Sequence, residues 1–370
     1  MRPNAKLLDD LTAAGLTGRG GAAFSTGIKV RAAFRNRADL IVNACDGEIG
    51  ATKDAWVVEN QLDGLLGGAR LVAGDHPIRV AAHRGSRAAA HLAAAGVDVL
   101  EVPARYVSSE ESALISLANG GLARPMTKRA PFVAGGRDAR GRRIPPTVVL
   151  NAETVWRIAQ IAEHGPGWFR RQGTALEPGP RLVTLTGAVA APHVIETAAG
   201  ARLDDLFGAA GGLLDAELVW VGGLAGVLIP APEAARLLWS STDLASYGGS
   251  IGSGVVWALD PAECPVAFVD HMLTYAAGES AGQCGPCMFG LPALAADWHD
   301  LAGARSGRAV DAAGRLAARV ALLPDRGACR YPDGIARFAA SAARVLAGHL
   351  DQHARGTCPP VRTTRSLVNA

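Results

Sequence analysis

Lysine is nearly absent from this chain: four residues (Lys6, Lys29, Lys53 and Lys128) stand against 33 arginines. Aromatic residues make up only 5%, which, beside 45 glycines, favours sites lined by backbone over aromatic stacking platforms. No block of like charge occurs. The 37 basic and 34 acidic residues leave a formal net charge of +3, and so weak a field argues against nucleic acid as a partner. Long apolar runs are missing too. The most apolar stretch, Leu218 to Pro232, is broken by glycines and prolines and falls short of the roughly 20 residues a membrane-spanning helix needs. The start, MRPNAKLLDDL, is polar where a secretory leader would be apolar, so we expect no signal peptide and a reducing, cytoplasmic setting. Six cysteines in 370 residues are too few for a disulfide framework, and a chain of this length can form two or three folding units.

What remains is therefore informative. In an arginine-rich composition indifferent lysines are the first to be replaced. A surviving lysine is a candidate for a place where a compact ammonium is wanted rather than a planar guanidinium. Three of the four, Lys29, Lys53 and Lys128, fall within motif segments.

Residues 4–15 read as a short helix, followed by the glycine-rich run GLTGRGGAAFSTG and a basic helical stretch over 28–37. LIVNA (40–44), IRVAAH (78–83) and VDVLEV (97–102) read as strands, with helices over 55–74 and 86–95 between them. Strands alternating with helices predict an α/β domain with a mainly parallel, Rossmann-like sheet over 1–175. LVTLTGAVAAPHVIE, ELVWVGG and SGVVWALD then predict a small mixed, β-grasp-like (SLBB-type) domain over 176–262. Helical patterns at 263–278, 288–300, 308–323 and 334–353 predict a C-terminal bundle over 263–355, and 356–370 is left as a tail.

Gly18-Arg19-Gly20-Gly21-Ala22-Ala23 formally fits G-x-G-x-x-A, but it follows a helix rather than a strand, so the ordinary dinucleotide fingerprint lacks its context. It is either a flexible turn or, with Arg19 and Lys29 at hand, a backbone surface for a phosphate. Asn43, Asp46, Glu48, Lys53 and Asp54 cluster just past a strand end, where open α/β sheets bind ligands. Glu110 and Glu111 in SSEESAL read equally as a serine-capped helix start or as groups for ribose hydroxyls. Cys284-Gly-Pro-Cys287, with Cys329 beyond, suits a redox dithiol, half a zinc site or part of an iron–sulfur site. Its place between helices counts against the dithiol, and no histidine lies close in sequence to Cys287 or Cys329 to complete a zinc set. A cubane draws on a C-x2-C-x2-C run plus a remote fourth cysteine, and the first position of such a run is here Ala281.

Taken in order, these motifs resemble the NADH-binding flavin subunit of respiratory complex I and the diaphorase subunits of NAD-linked hydrogenases and formate dehydrogenases. The resemblance runs from about residue 12 to 350. It is carried by Gly15 to Lys29, NACDGEIGATKD (43–54), EESAL (110–114), KRAPF (128–132), LNAET (150–154) and TYAAGESAGQCGPC (274–287). It implies an NADH:acceptor oxidoreductase module that takes a hydride from NADH onto FMN and passes single electrons to an iron–sulfur cluster. The acceptor would be a ferredoxin-like or other iron–sulfur partner protein, or a membrane redox complex. The setting would be cytoplasmic or peripheral to the inner face of the membrane. By position, Gly18, Arg19, Gly20, Gly21 and Lys29 would hold the FMN phosphate and ring, and Asn43, Asp46 and Asn151 the ribityl and isoalloxazine groups. Phe24 and Phe132 would stack on NADH, while Glu48, Glu110, Glu111 and Lys128 would bind its polar parts. Cys284, Cys287 and Cys329 would ligate the cluster.

The chain departs from the family pattern at several places. Cys45 replaces an aspartate near the flavin, Leu150 the first of two asparagines, and Val30 a tryptophan. Met288 and Phe289 replace an Arg–Glu pair. Ala281 replaces a cluster cysteine, so the expectation is a [4Fe–4S] cluster with Ser280, water or another oxygen on the open iron, or a three-iron form. Cys45, Cys264 and Cys358 are expected to be buried or inert thiols. The alternative is a non-catalytic paralogue that keeps the fold as a nucleotide-binding or scaffold subunit.

Overall fold

Four strands of β-branched and leucine-rich sequence pair in parallel: β1 (Asp39–Asn43), β2 (Ile78–His83), β3 (Val99–Val102) and, after a short hairpin of β4 (Gly136–Arg137) and β5 (Arg143–Ile144), β6 (Thr147–Asn151). The structure is a computed structural model that describes residues 3–128, 130–138, 140–304 and 306–358. Arg129 of the KRAPF segment and residues 359–370 of the expected tail lie outside the described residues. The parallel sheet has the order β3-β2-β1-β6. The chain walks outward from β1 through β2 to β3 and then returns to the opposite side of β1. That reversal places a topological switch point between β1 and β6, the position at which open α/β sheets bind ligands beyond the carboxyl ends of their strands.

The chain divides into two compact units. The first comprises Met1–Thr184, Val194–Ala201 and Gly252–Gly254. Its core packs Leu40, Val42, Val80, Val148 and Leu150 against helix residues such as Leu11, Val57, Leu65, Val155 and Ile158. The helical pattern expected over 55–74 is two helices, Lys53–Asn60 and Leu62–Ala73, because the backbone leaves helical geometry at Gln61. Helix Leu62–Ala73 lies against helix Ala152–Phe169 so closely that a Cβ on Gly68 would meet the Val155 carbonyl oxygen at 2.1 Å. Only glycine fits there.

The second unit comprises Leu185–His193, Arg202–Ile251 and Val255–Ala370. The chain passes through β7 (Pro180–Gly187) and β8 (His193–Ala198), the expected strand–turn–strand. The apolar stretch from Leu218 is a hairpin, β9 (Leu218–Val221) and β10 (Val227–Pro230), and β9 also pairs antiparallel with β11 (Val255–Ala258). Trp220 of β9 is buried against Phe268 and Phe338 of the following helices, ring centroids 5.5 and 5.3 Å apart. Five α-helices follow among the described residues: Pro265–Glu279, Leu291–Gly303, Ser306–Leu322, Tyr331–Val345 and Ala347–Arg355. The last expected helix is thus divided at Leu346. No described helix is long and apolar enough to cross a membrane.

Candidate functional site

The switch point is marked by a pair of asparagines. Asn43 ends β1, Asn151 ends β6, and the two are register partners across the parallel ladder. Each is engaged. Asn43 donates from Nδ2 to the Ser109 carbonyl (2.9 Å) and accepts the Cys45 N–H at Oδ1 (3.1 Å). Asn151 caps helix Ala152–Phe169 by accepting the Glu153 N–H (3.1 Å), and donates to Asp54 (2.7 Å). Uncapped helix N–H groups need such a partner.

Over this edge lies the glycine-rich loop. A bridge between Thr17 and Ser25 closes its neck, with the Gly18 N–H donated to the Phe24 carbonyl at 2.8 Å. Gly21 has φ +102°, and a Cβ on Gly20 would stand 3.4 Å from that of Asn151. The N–H groups of Gly20, Gly21 and Ala22 have no partner among the described residues. Successive free N–H groups on a turn form a ready anion site. Arg19, by contrast, turns inward. It is 3% exposed, its Nη2 donates to the Pro178 and Pro180 carbonyls (3.0 and 3.2 Å), and its N–H donates to Thr154 Oγ1 (2.8 Å). Burial, with the neighbouring Arg181, pushes its pKa well down. The Arg19 side chain, expected among the groups for the FMN phosphate and ring, here fastens the base of the loop.

Beneath the edge is a buried charge cluster. Lys53, 2% exposed, makes ion pairs with Asp54 (2.8 Å) and Glu153 (3.2 Å) and donates to Asn151 Oδ1 (3.2 Å). Burial would lower its pKa, but the surrounding carboxylates of Asp54, Glu153 and Asp46 hold it above the ordinary lysine value. Burial would likewise raise Glu153, yet Lys53, Arg157 and Arg19 keep it below the usual carboxylate value. Asp46 sits at φ +46° and accepts the N–H groups of Asp54 (2.9 Å) and Ala55 (2.7 Å) at the start of helix Lys53–Asn60. Burial and the Asp54 charge push Asp46 up to about 7. Cys45 is buried, and that burial, with Asp54 and Asp46 nearby, raises its thiol pKa so far that it stays protonated.

The second constellation joins the two remaining motif lysines. Glu111 accepts from Lys29 Nζ at Oε1 (2.9 Å) and from Lys128 Nζ at Oε2. Burial pushes Glu111 up, but the two ammonium groups outweigh it and hold its pKa low. Glu110 is the cap of helix Glu111–Ala118, accepting the N–H groups of Ser112 (2.7 Å) and Ala113 (3.1 Å). The expected serine cap is thus the glutamate itself. Glu48 accepts the Tyr106 hydroxyl proton (2.7 Å), a contact with no sequence signal. Phe24 is half exposed, whereas Phe132, expected to stack on a ligand, is 7% exposed and packs with Ile41, Leu114 and Val149 in the core.

In the second unit, Cys284 and Cys287 are joined by a tight turn, in which the Cys284 carbonyl accepts the N–H groups of Cys287 (3.0 Å) and Met288 (2.9 Å). Burial raises the Cys287 thiol to about 12, and the neighbouring Cys284 and then Cys329 add to the rise. A buried thiol whose ionisation is opposed by its neighbours is what a cation-rich cluster relieves. The donor set fits an iron–sulfur centre with three protein thiolates. Ala281 supplies no fourth. Met288 and Phe289, which follow Cys287, are exposed.

With this geometry in view, comparison with known proteins is decisive. Residues 11–160 match the Nuo51 FMN-binding domain, and residues 267–353 match the NADH-ubiquinone oxidoreductase-F iron-sulfur binding region. An F-type NADH-quinone oxidoreductase protein of Rhizobium meliloti is 30% identical over 315 residues, 76% of this chain and 72% of that one. The chain belongs to the NADH-quinone oxidoreductase F family. Further family relatives include the corresponding F-type protein of Streptomyces coelicolor (29% identical, covering 76% of this chain and 69% of that one). HndC of the NADP-reducing hydrogenase of Solidesulfovibrio fructosivorans is 27% identical over 78% of this chain and 64% of its own length. Among solved structures, a chain of the NAD+-reducing [NiFe]-hydrogenase in its H2-reduced state superposes with a TM-score of 0.79 at 28% identity, covering 97% of this chain. This chain spans 64% of that hydrogenase chain. Family membership makes it an oxidoreductase component with flavin and iron–sulfur modules.

Proposed function

We propose that the chain is an NADH:acceptor oxidoreductase module. Bound FMN would convert a two-electron hydride donor into single electrons, and an iron–sulfur cluster would carry them onward. The observation that carries this reading is the free N–H row of Gly20, Gly21 and Ala22 above the Asn43–Asn151 pair, at a switch point of the parallel sheet. Those N–H groups would cradle the flavin phosphate, while the Gly18 N–H, bonded to the Phe24 carbonyl, closes the neck and Arg19 keeps the loop in place. Asn43, Asp46 and Asn151 line the edge and would hold the ribityl chain and ring. Lys29, Glu111 and Lys128 form a shared ion pair that opens to receive the polar parts of NADH, with Glu48 and Glu110 beside it. Phe24 offers a half-exposed ring face. Cys284, Cys287 and Cys329 would hold the cluster, and an oxygen donor such as Ser280 or solvent would serve where Ala281 supplies no thiolate. A ferredoxin-like or other iron–sulfur partner protein takes the electrons. The module acts in the cytoplasm or on the inner face of a membrane. We further assign the flavin work to residues 1–175, an SLBB-type unit to 176–262 and the cluster to 263–355.

Anaerobic purification from iron-replete cells, followed by flavin, iron and sulfide determination, tests this. About one FMN per chain, bleached on adding NADH, is expected. A flavin-free protein silent to NADH would refute the proposal. Nucleotide binding without reduction would establish the scaffold reading instead.

A further inference from the structure

Two cysteines expected to be inert lie beside a histidine. Cys264 precedes helix Pro265–Glu279, His353 lies on the last turn of helix Ala347–Arg355, and Cys358 follows after the left-handed turn at Gly356. The ligand atoms of Cys264, His353 and Cys358 all lie within 4.8 Å of one another. His353 Nε2 is 3.2 Å from Cys264 Sγ. Tetrahedral zinc with Zn–S of about 2.3 Å and Zn–N of about 2.0 Å sets neighbouring ligand atoms ~3.5–3.8 Å apart, so closure around an ion needs shifts of only about an ångström.

The imidazole is already oriented for this. His353 Nδ1 is 3.2 Å from the Ala302 carbonyl oxygen. A carbonyl only accepts, so Nδ1 carries the proton and the Nε2 lone pair points at the thiol. That outer hydrogen bond is the arrangement by which proteins fix a metal-binding histidine. Cys264 is itself the N-cap of helix Pro265–Glu279, which fixes its place at the helix start.

We propose that Cys264, His353 and Cys358 form a second metal site, for zinc or a zinc-like divalent ion, separate from the Cys284–Cys287–Cys329 centre. The set is Cys2His with solvent oxygen as fourth donor. Binding forms two metal–sulfur bonds and one metal–nitrogen bond and releases the two thiol protons. The dication is then neutralised by two thiolates, with no change of oxidation state. Soft sulfur with one imidazole suits zinc over magnesium or calcium. The site clips the C-terminal helix to the start of helix Pro265–Glu279 and the end of helix Leu291–Gly303. It stands independently of the electron-transfer reading.

The full chain, stripped with chelator under anaerobic conditions and dialysed against zinc chloride, provides the test. One zinc per chain is expected, lost at least tenfold in Cys264→Ser, Cys358→Ser and His353→Gln but retained in Cys284→Ser. Unmutated protein titrated with cobalt(II) at pH 6.5 should develop a thiolate-to-metal charge-transfer band and release two protons per ion, which needs no variant to fold. Zinc retained in the Cys264→Ser/Cys358→Ser double variant would overturn the proposal. So would zinc loss with Cys284→Ser, a Cys264–Cys358 disulfide in the anaerobic protein, or no cobalt band.

Discussion

Replacing Lys53 by methionine keeps much of the side-chain volume and removes one buried positive charge. Asp54 loses its 2.8 Å partner, Glu153 its 3.2 Å partner, and Asn151 Oδ1 a donor. Glu153 keeps Arg157 at 3.8 Å and the Leu182 N–H at 2.8 Å, so the orphaned charge is chiefly Asp54. Breaking a buried pair in this way costs about 3–5 kcal/mol, a large part of the ~5–15 kcal/mol that holds a typical domain together. The variant also acquires a pH signature. Lys53 is charged in folded and unfolded chains alike across pH 5–8, since its folded pKa is raised above the ordinary lysine value, and it contributes no slope there. The carboxylates do. Asp46 and Asp54 are both raised in the folded protein, Asp46 from 3.8 to about 7. The folded state therefore binds protons more readily than the unfolded one, and stability falls as pH rises from about 4 through about 7. Lys53→Met removes the cation that restrains both, moving that window upward. The deficit of the variant should thus grow between pH 5 and pH 8, by up to ~1.4 kcal/mol for each unit that Asp54 is shifted. Urea unfolding at the two pH values, read from tryptophan fluorescence, to which the Trp56–Trp156 pair (ring centroids 5.9 Å apart) contributes, measures it. A deficit below about 1 kcal/mol, or the same deficit at both pH values, would show that Lys53 does not restrain these carboxylates.

Other perturbations separate the parts of the site. Gly21→Ala puts a Cβ on a residue at φ +102°, a strain of about 1–3 kcal/mol, so FMN affinity measured by fluorescence quenching should fall roughly tenfold with little change in overall helix content. Glu111→Gln leaves Lys29 and Lys128 without their shared carboxylate. The KM for NADH should change more than the kcat of ferricyanide reduction, and the stability that wild-type Glu111 supplies above about pH 4.5, lost as pH falls through its lowered folded pKa, should vanish from the unfolding profile. Ala281→Cys should restore a fourth thiolate and alter the EPR spectrum of the reduced cluster. An unchanged spectrum would place residue 281 away from the open iron.

Much of the sheet was legible because strands with buried faces are written as short apolar runs: LIVN and IRVAAH lie at their expected positions. The lysine argument also located real constellations, since Lys29 and Lys128 meet on one carboxylate and Lys53 anchors another cluster. What escaped the sequence was direction. Arg19 lies in a phosphate-like motif, yet its side chain points inward to two proline carbonyls. Phe132 follows a loop and is buried, and no local pattern distinguishes a stacking ring from a core ring. Glu153 and Arg157 share one face of a helix at a spacing any surface pair could have. Their burial depends on neighbours far along the chain. The pairing of Cys264 with Cys358 and His353 was illegible for the same reason.

The register of β1 with β6 carries a consequence for folding. Lys53 and Asn151, bonded to each other beneath the ligand edge, stand 98 positions apart in the chain. The edge cannot exist while β1, β2 and β3 alone are paired, since β6 supplies one of its two asparagines and the cap of the helix behind it. Contacts of such separation are slow to form. A ligand that needs this edge binds only chains whose sheet is complete, so its binding energy is spent on closing the sheet. Supplying the cofactor during refolding should raise the yield of complete sheets, and the cofactor-loaded fraction would then measure how many chains have finished.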